Sequence, residues 1–149
     1  MSNDIFEELK RFREDRKLDL EEFDLETYLR KDYEETFELM GLPDFYCKDM
    51  AKRRAKIDVD FLSTDQRILD NKIKLFSNSF VRADAMGDKI VFAVEALEQQ
   101  GFDANLLLLE VAKEINSREG EIVDGKFEKF RTPEAEAKWY KADFHKAIR

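Results

Sequence analysis

Two groups of carboxylates have the spacing to share one ligand. Asp84 and Asp88 stand four residues apart, and Glu34, Glu35 and Glu38 fall within five. On a helix, residues three or four apart face the same way. If the two helices lie antiparallel, the groups face each other across a small gap. Four or so carboxylate oxygens around such a gap make a hard-cation site. All-oxygen ligands select Mg²⁺ or Mn²⁺ over Zn²⁺, which prefers His and Cys. The natural ligand of such a cation is a polyphosphate. The bound ion would neutralise phosphate charge and lower the pKa of a coordinated water. A chain with 34 acidic residues also produces such pairs by chance, as ordinary solvated charge. Asp84 and Asp88 are harder to dismiss, because they interrupt the most apolar long run of the sequence, residues 80–101.

The elements that would carry these groups read as helices. At roughly 100° per residue, Asp84, Asp88 and Glu95 form one stripe of the 80–101 helix, and Met86, Ile90, Ala93, Val94 and Leu97 form a second stripe that should be core. Residues 25–40 form its expected partner helix. Asp24 is the N-cap, Leu25, Leu29, Tyr33, Thr36, Phe37 and Met40 make the apolar face, and Gly41 is the stop. Residues 4–16 read as an earlier amphipathic helix. A short helix is expected from Pro43 to about Ala55, with residues 57–62 an irregular connection. Ser63 with Gln66 reads as a capping box opening a helix over 63–79, which weakens at Ser77, Asn78 and Ser79. Asp103 should cap a helix over 104–117, whose run Leu106 to Leu109 implies burial on more than one side or a subunit interface. From Glu119 the pattern breaks. Asp124-Gly125 is a turn, and Phe127, Phe130, Trp139, Tyr140 and Phe144 should lie back on the helical body.

Composition agrees with an all-α fold. Five Gly and two Pro are too few for a turn-rich β protein, while 43% hydrophobic and 40% charged residues suit narrow amphipathic helices. The expected architecture is a bundle of four to six helices in one domain over residues 1–149. It carries an insertion at about 42–79 and a partly irregular tail at about 119–149. A net charge of -8 argues against a nucleic-acid polymer as partner. The single Cys47 excludes an intrachain disulfide and reads as a semi-buried thiol in a reducing compartment. His145 is the only histidine, so His-rich metal sites and Ser-His-Asp triads are not expected. With no apolar leader and no long apolar run, the expectation is a cytoplasmic protein without a membrane partner.

Several stretches together resemble a known family. Asp84-Ala85-Met86-Gly87-Asp88, an apolar helix, then Gly101-Phe102-Asp103 is similar to the third helix of the all-α nucleoside-triphosphate pyrophosphohydrolases, the MazG-like group. Residues 29–39, with Glu34, Glu35 and Glu38, resemble that family's second helix and its E-E-x-x-E-L pattern. Glu110-Val111, Asn116-Ser117-Arg118, Asp124-Gly125-Lys126 and Trp139-Tyr140 resemble its fourth helix and tail. The family's further acid falls here on Asp84, with Ala85 at its usual place.

The resemblance implies Mg²⁺-dependent (or Mn²⁺-dependent) hydrolysis of a nucleoside or deoxynucleoside triphosphate to monophosphate and pyrophosphate, by a homodimer or homotetramer. It implies Glu35, Glu38, Asp84 and Asp88 as metal ligands. Glu34, Glu35 and Glu38 become the catalytic carboxylates, with Glu34 helping to hold water. Asn116, Arg118 and Lys126 become phosphate contacts. The competing expectation is an inactive nucleotide-binding or protein-interaction module on the same scaffold.

Overall fold

The computed structural model describes residues 3–18, 22–75, 79–124 and 126–149. The fold is all-α with one small hairpin. Its elements are α1 (Ile5–Asp15), α2 (Leu25–Leu39), α3 (Asp44–Thr64), α4 (Gln66–Leu75), α5 (Ser79–Gln99), α6 (Ala104–Asn116), β1 (Gly120–Val123), β2 (Lys126–Lys129), the one-turn α7 (Pro133–Glu136) and a closing 3-10 turn (Phe144–Ala147). They fall into two units. One holds residues 22–82 and 124–126; the other holds 1–21, 83–123 and 127–149.

The first unit is built on the pairing of α2 with α3. Asp24 caps α2 by accepting from the Thr27 amide at 2.9 Å, a bond of about 1 kcal/mol in helix stability. Gly41 ends the helix in the left-handed region, at φ 82°. There its amide reaches Glu38 O at 2.9 Å and the Leu42 amide reaches Phe37 O at 3.2 Å, as a glycine C-terminus requires. Cys47, Ala51 and Ala55 are fully buried at four-residue steps on α3. Small side chains on that stripe let two backbones approach closely.

The helix α3 is longer than expected. It runs unbroken to Thr64, through the stretch 57–62 that reads as irregular connection. No Gly or Pro interrupts it, and one-turn ion pairs support it: Arg53 to Asp49 at 3.2 Å, Arg54 to Asp58 at 3.3 Å and Lys56 to Asp60 at 3.7 Å. Each contributes a few tenths of a kcal/mol. The expected capping box is also displaced. Ser63 lies in the last turn of α3 and donates to Val59 O at 2.8 Å. Asp65 opens α4 instead, accepting from the amides of Arg67 at 3.0 Å and Ile68 at 3.3 Å. The weakening expected at Ser77 and Asn78 lies outside the described residues.

In the second unit α1 packs on α6, and α6 packs on the closing 3-10 turn. Leu107, Leu109 and Ala112 of α6 are buried, with Ala104 at its first turn. Arg16 locks α1 to the end of α6. Its Nη2 donates to Ile115 O at 2.8 Å and Arg118 O at 2.7 Å, and its guanidinium stacks 4.4 Å from both the Phe12 and Phe127 rings. The chain's last residues fold back on the α5–α6 corner: Asp103 N donates to Ala147 O at 2.7 Å and Arg149 N to Gly101 O at 2.9 Å.

Two features of this unit depart from expectation. The region after Glu119 is not merely a tail, because β1 and β2 pair as a two-stranded hairpin. The stripe of α5 expected to be core is not buried either. Ile90 is 60% exposed, as is Val91, and Phe92 is 64% exposed. Met86, Val94 and Leu97 are only half-buried. Among the described residues, no other element of this unit packs along α5.

Candidate functional site

The predicted acidic residues divide between the two units. Glu34, Glu35 and Glu38 stand on α2, in the first. Glu35 and Glu38 are exposed, while Glu34 is 6% exposed and so withdrawn from bulk water. Glu34 and Glu38 stand near Cys47. The thiol is pushed up from its usual range, first by burial and then by Glu38, Asp44 and Glu34. A buried thiol that donates to Leu42 O at 3.3 Å is a packing group rather than a nucleophile. It is more deeply buried than the sequence implies.

Asp84 and Asp88 stand on α5 in the second unit, both exposed. Within each unit, among the described residues, no three acidic, His or Cys side chains gather as a metal-binding group. Each unit by itself offers a pair of exposed carboxylates one turn apart. All-oxygen pairs of this kind suit Mg²⁺ or Mn²⁺, whose remaining positions are commonly filled by water and phosphate oxygens.

The residues mapped to the phosphate side have separate surroundings. Asn116, at the end of α6, donates from Nδ2 to the buried Glu8 at 3.5 Å, and its Oδ1 is buried without a partner among the described residues. Arg118 pairs with Glu114 and lies 5.7 Å from the Trp139 ring centre. Lys126 contributes backbone to β2, and its side chain lies outside the described residues.

The first unit also has an open apolar hollow of about 310 Å³ between α2 and α3, lined by Leu25, Leu29, Tyr33, Asp58, Phe61 and Leu62. Its polar edge is the contact from the Tyr33 hydroxyl to Asp58, which Arg54 also engages from 3.3 Å. That hydrogen bond is the main reason the Tyr33 phenol is raised above its usual pKa, with burial second.

The second unit holds a network that the sequence reading did not single out. Glu110 is 3% exposed. It accepts from the Tyr140 hydroxyl at 2.5 Å, the Asp143 amide at 3.1 Å and Lys113 Nζ at 3.0 Å. These bonds, the Tyr140 one foremost, hold its carboxyl at about 2 despite burial. Glu114, one turn on, accepts from the Ala142 amide at 2.8 Å. The two carboxylates of α6 therefore bind the backbone of the C-terminal segment. The E-V-x-x-E spacing of residues 110–114 is visible in the sequence, but the backbone and Tyr140 partners lie some thirty residues downstream and no local pattern marks them.

No family model, curated protein or solved structure matches the chain. No helix among the described residues is long and apolar enough to cross a membrane.

Proposed function

We propose that this chain is a metal-dependent nucleoside-triphosphate pyrophosphohydrolase, releasing pyrophosphate and a nucleoside monophosphate. The observation that carries this reading is the exposure of two carboxylate pairs, Glu35 with Glu38 on α2 and Asp84 with Asp88 on α5. The resemblance of those two helices to the MazG-like group supplies the chemistry. Glu35, Glu38, Asp84 and Asp88 would hold Mg²⁺ or Mn²⁺. Such a cation supplies charge neutralisation to a polyphosphate. Glu34, the buried acid of its helix, would orient water at the phosphorus. Arg118 and Lys126, with Asn116, would face phosphate oxygens. The single buried thiol fits a cytoplasmic setting. The exposed apolar residues of α5 support a homodimer or homotetramer.

The test is pyrophosphate release from a panel of nucleoside and deoxynucleoside triphosphates with Mg²⁺ or Mn²⁺. Glu38→Gln and Asp88→Asn are expected to abolish turnover with helicity unchanged. Undiminished release from either purified variant would overturn the assignment. The second reading is a non-catalytic nucleotide-binding or protein-interaction module, favoured because no three acidic, His or Cys side chains among the described residues are grouped so as to hold a metal ion. Binding without product across the panel would select it.

A further inference from the structure

Trp139 sits among cations. Arg118 Cζ lies 5.7 Å from its ring centre, Lys129 Nζ 5.2 Å and Arg131 Cζ 6.0 Å. They come from three places in the second unit: the end of α6, the end of β2 and the exit of the hairpin. In a chain of net charge -8, such convergence runs against the average field. Cation–π attraction offsets part of the mutual repulsion. Carboxylates offset another part: Glu114 pairs with Arg118, and Glu119 holds the neighbouring Lys138 at 3.4 Å. Arg131 is exposed and has no ion pair among the described residues.

A second observation points the same way. Trp139 Nε1 and Arg118 Nε are both buried, and neither has an acceptor among the described residues. Unpaired buried donors are costly and uncommon, and an absent anion is one recognised reason for them. Two orphan donors in one cluster of cations mark a place for acceptor oxygens carrying negative charge.

We propose that Trp139 with Arg118, Lys129 and Arg131 forms a receptor for an oligophosphate, either a free chain or the phosphate tail of a nucleotide. Phosphate oxygens bridge the cations, and a small adjustment at the ring edge gives the indole N–H an acceptor. Through Arg118 the receptor shares one residue with the phosphate side of the proposed hydrolase, and its test is separate from that reading because the ligand is detected without divalent metal and without turnover.

Trp139 is the only tryptophan, so its emission reports the site directly. The protein is titrated at constant ionic strength, in a chelator, with inorganic tripolyphosphate and separately with ATP, and with sulfate as control. A saturable change in emission with tripolyphosphate is expected, with sulfate much weaker. Equal affinity for ATP means the phosphate chain alone is read; tighter ATP binding identifies a nucleotide as the source. Lys129→Ala with Arg131→Ala should weaken binding by about tenfold or more, as the loss of two charged donors implies, with the thermal melt unchanged. Arg131→Gln alone, on an exposed residue, serves if the double variant fails to fold and should still weaken binding. Unsaturable drift with every salt, binding of ATP but not tripolyphosphate, or identical curves for wild type and variants would overturn the proposal.

Discussion

Tyr140 donates its phenolic hydrogen to Glu110 at 2.5 Å, across thirty residues of chain and at a site only 3% exposed on the acid side. Lys146 Nζ approaches the same phenol oxygen at 3.3 Å. The three side chains clasp the C-terminal segment to α6. Tyr140→Phe keeps the ring and removes the bond to a charged acceptor, so a loss of about 1.5–3 kcal/mol is expected. Urea unfolding monitored by circular dichroism measures it. A variant as stable as wild type would show that the phenol bond contributes nothing net.

The same carboxylate sets an acid limit. Its pKa falls from 4.5 in the open chain to about 2 in the fold. Between those values the unfolded state binds the proton and the folded state does not. The stabilisation is therefore complete above pH 4.5 and is lost as pH falls toward 2. Glu110→Gln is expected to be less stable at neutral pH and to lose less stability over that window. Urea midpoints taken from pH 6 down to about 2 test this. Parallel curves for the two proteins would contradict it.

Arg16 predicts a larger effect than its surface-like composition implies. Two carbonyls at the end of α6 accept from it, and two phenylalanine rings sandwich it. Burial pulls the guanidinium below its usual pKa. Lysine offers a point charge without the planar fork or the stacking face. Arg16→Lys should cost about 2 kcal/mol, again by urea unfolding, and a neutral result would refute the clasp.

These relationships separate what the sequence makes legible from what it does not. The caps at Asp24 and Asp103 and the stops at Gly41 and Gly101 are local chemistry, and each stands where the sequence places it. The continuity of α3 was missed because Ile57 to Leu62 alternates imperfectly while its ion pairs span the misread junction. The hairpin was missed although Asp124-Gly125 lies between alternating runs, which is a strong hairpin signal. Its partners beyond the turn, Arg16 and Glu119, are held by contacts that no period reveals. The acids of α2 and α5 are legible as exposed pairs. Their joint chemistry rests on resemblance rather than on pattern.

The hairpin has its own test at Gly120. A Cβ there would collide with the Glu128 carbonyl and the Phe127 ring. The collision is with backbone, so it cannot be relieved by a rotamer change. Gly120→Ala should open the hairpin, at a cost of about 1–3 kcal/mol as for other overpacked sites. It should also disturb the Phe127 face on which Arg16 stacks. Trp139 emission and the urea midpoint should shift together; an unchanged midpoint would mean that the strands tolerate the added methyl.

The last expectation concerns α5. Its side chains are apolar around most of the circumference, and a helix of that kind is normally buried. Yet Ile90, Val91 and Phe92 are each at least 60% exposed, and among the described residues no element of the unit packs along them. Together they expose a few hundred Å², the scale of a patch that marks an interface. At the C-terminal end of the helix Glu98 accepts from the Ala104 amide at 3.0 Å and pairs with Arg149 at 2.8 Å. A second copy laid along the remainder would bury that face without disturbing the anchor. Light scattering of the wild type should then give at least twice the 17.7 kDa of one chain. Ile90→Glu should return the mass to that of a single chain while α-helicity is kept, because the residue lies outside the monomer's core. A wild type that stays monomeric at every concentration, or a variant that keeps the full mass, would remove α5 as the assembling surface.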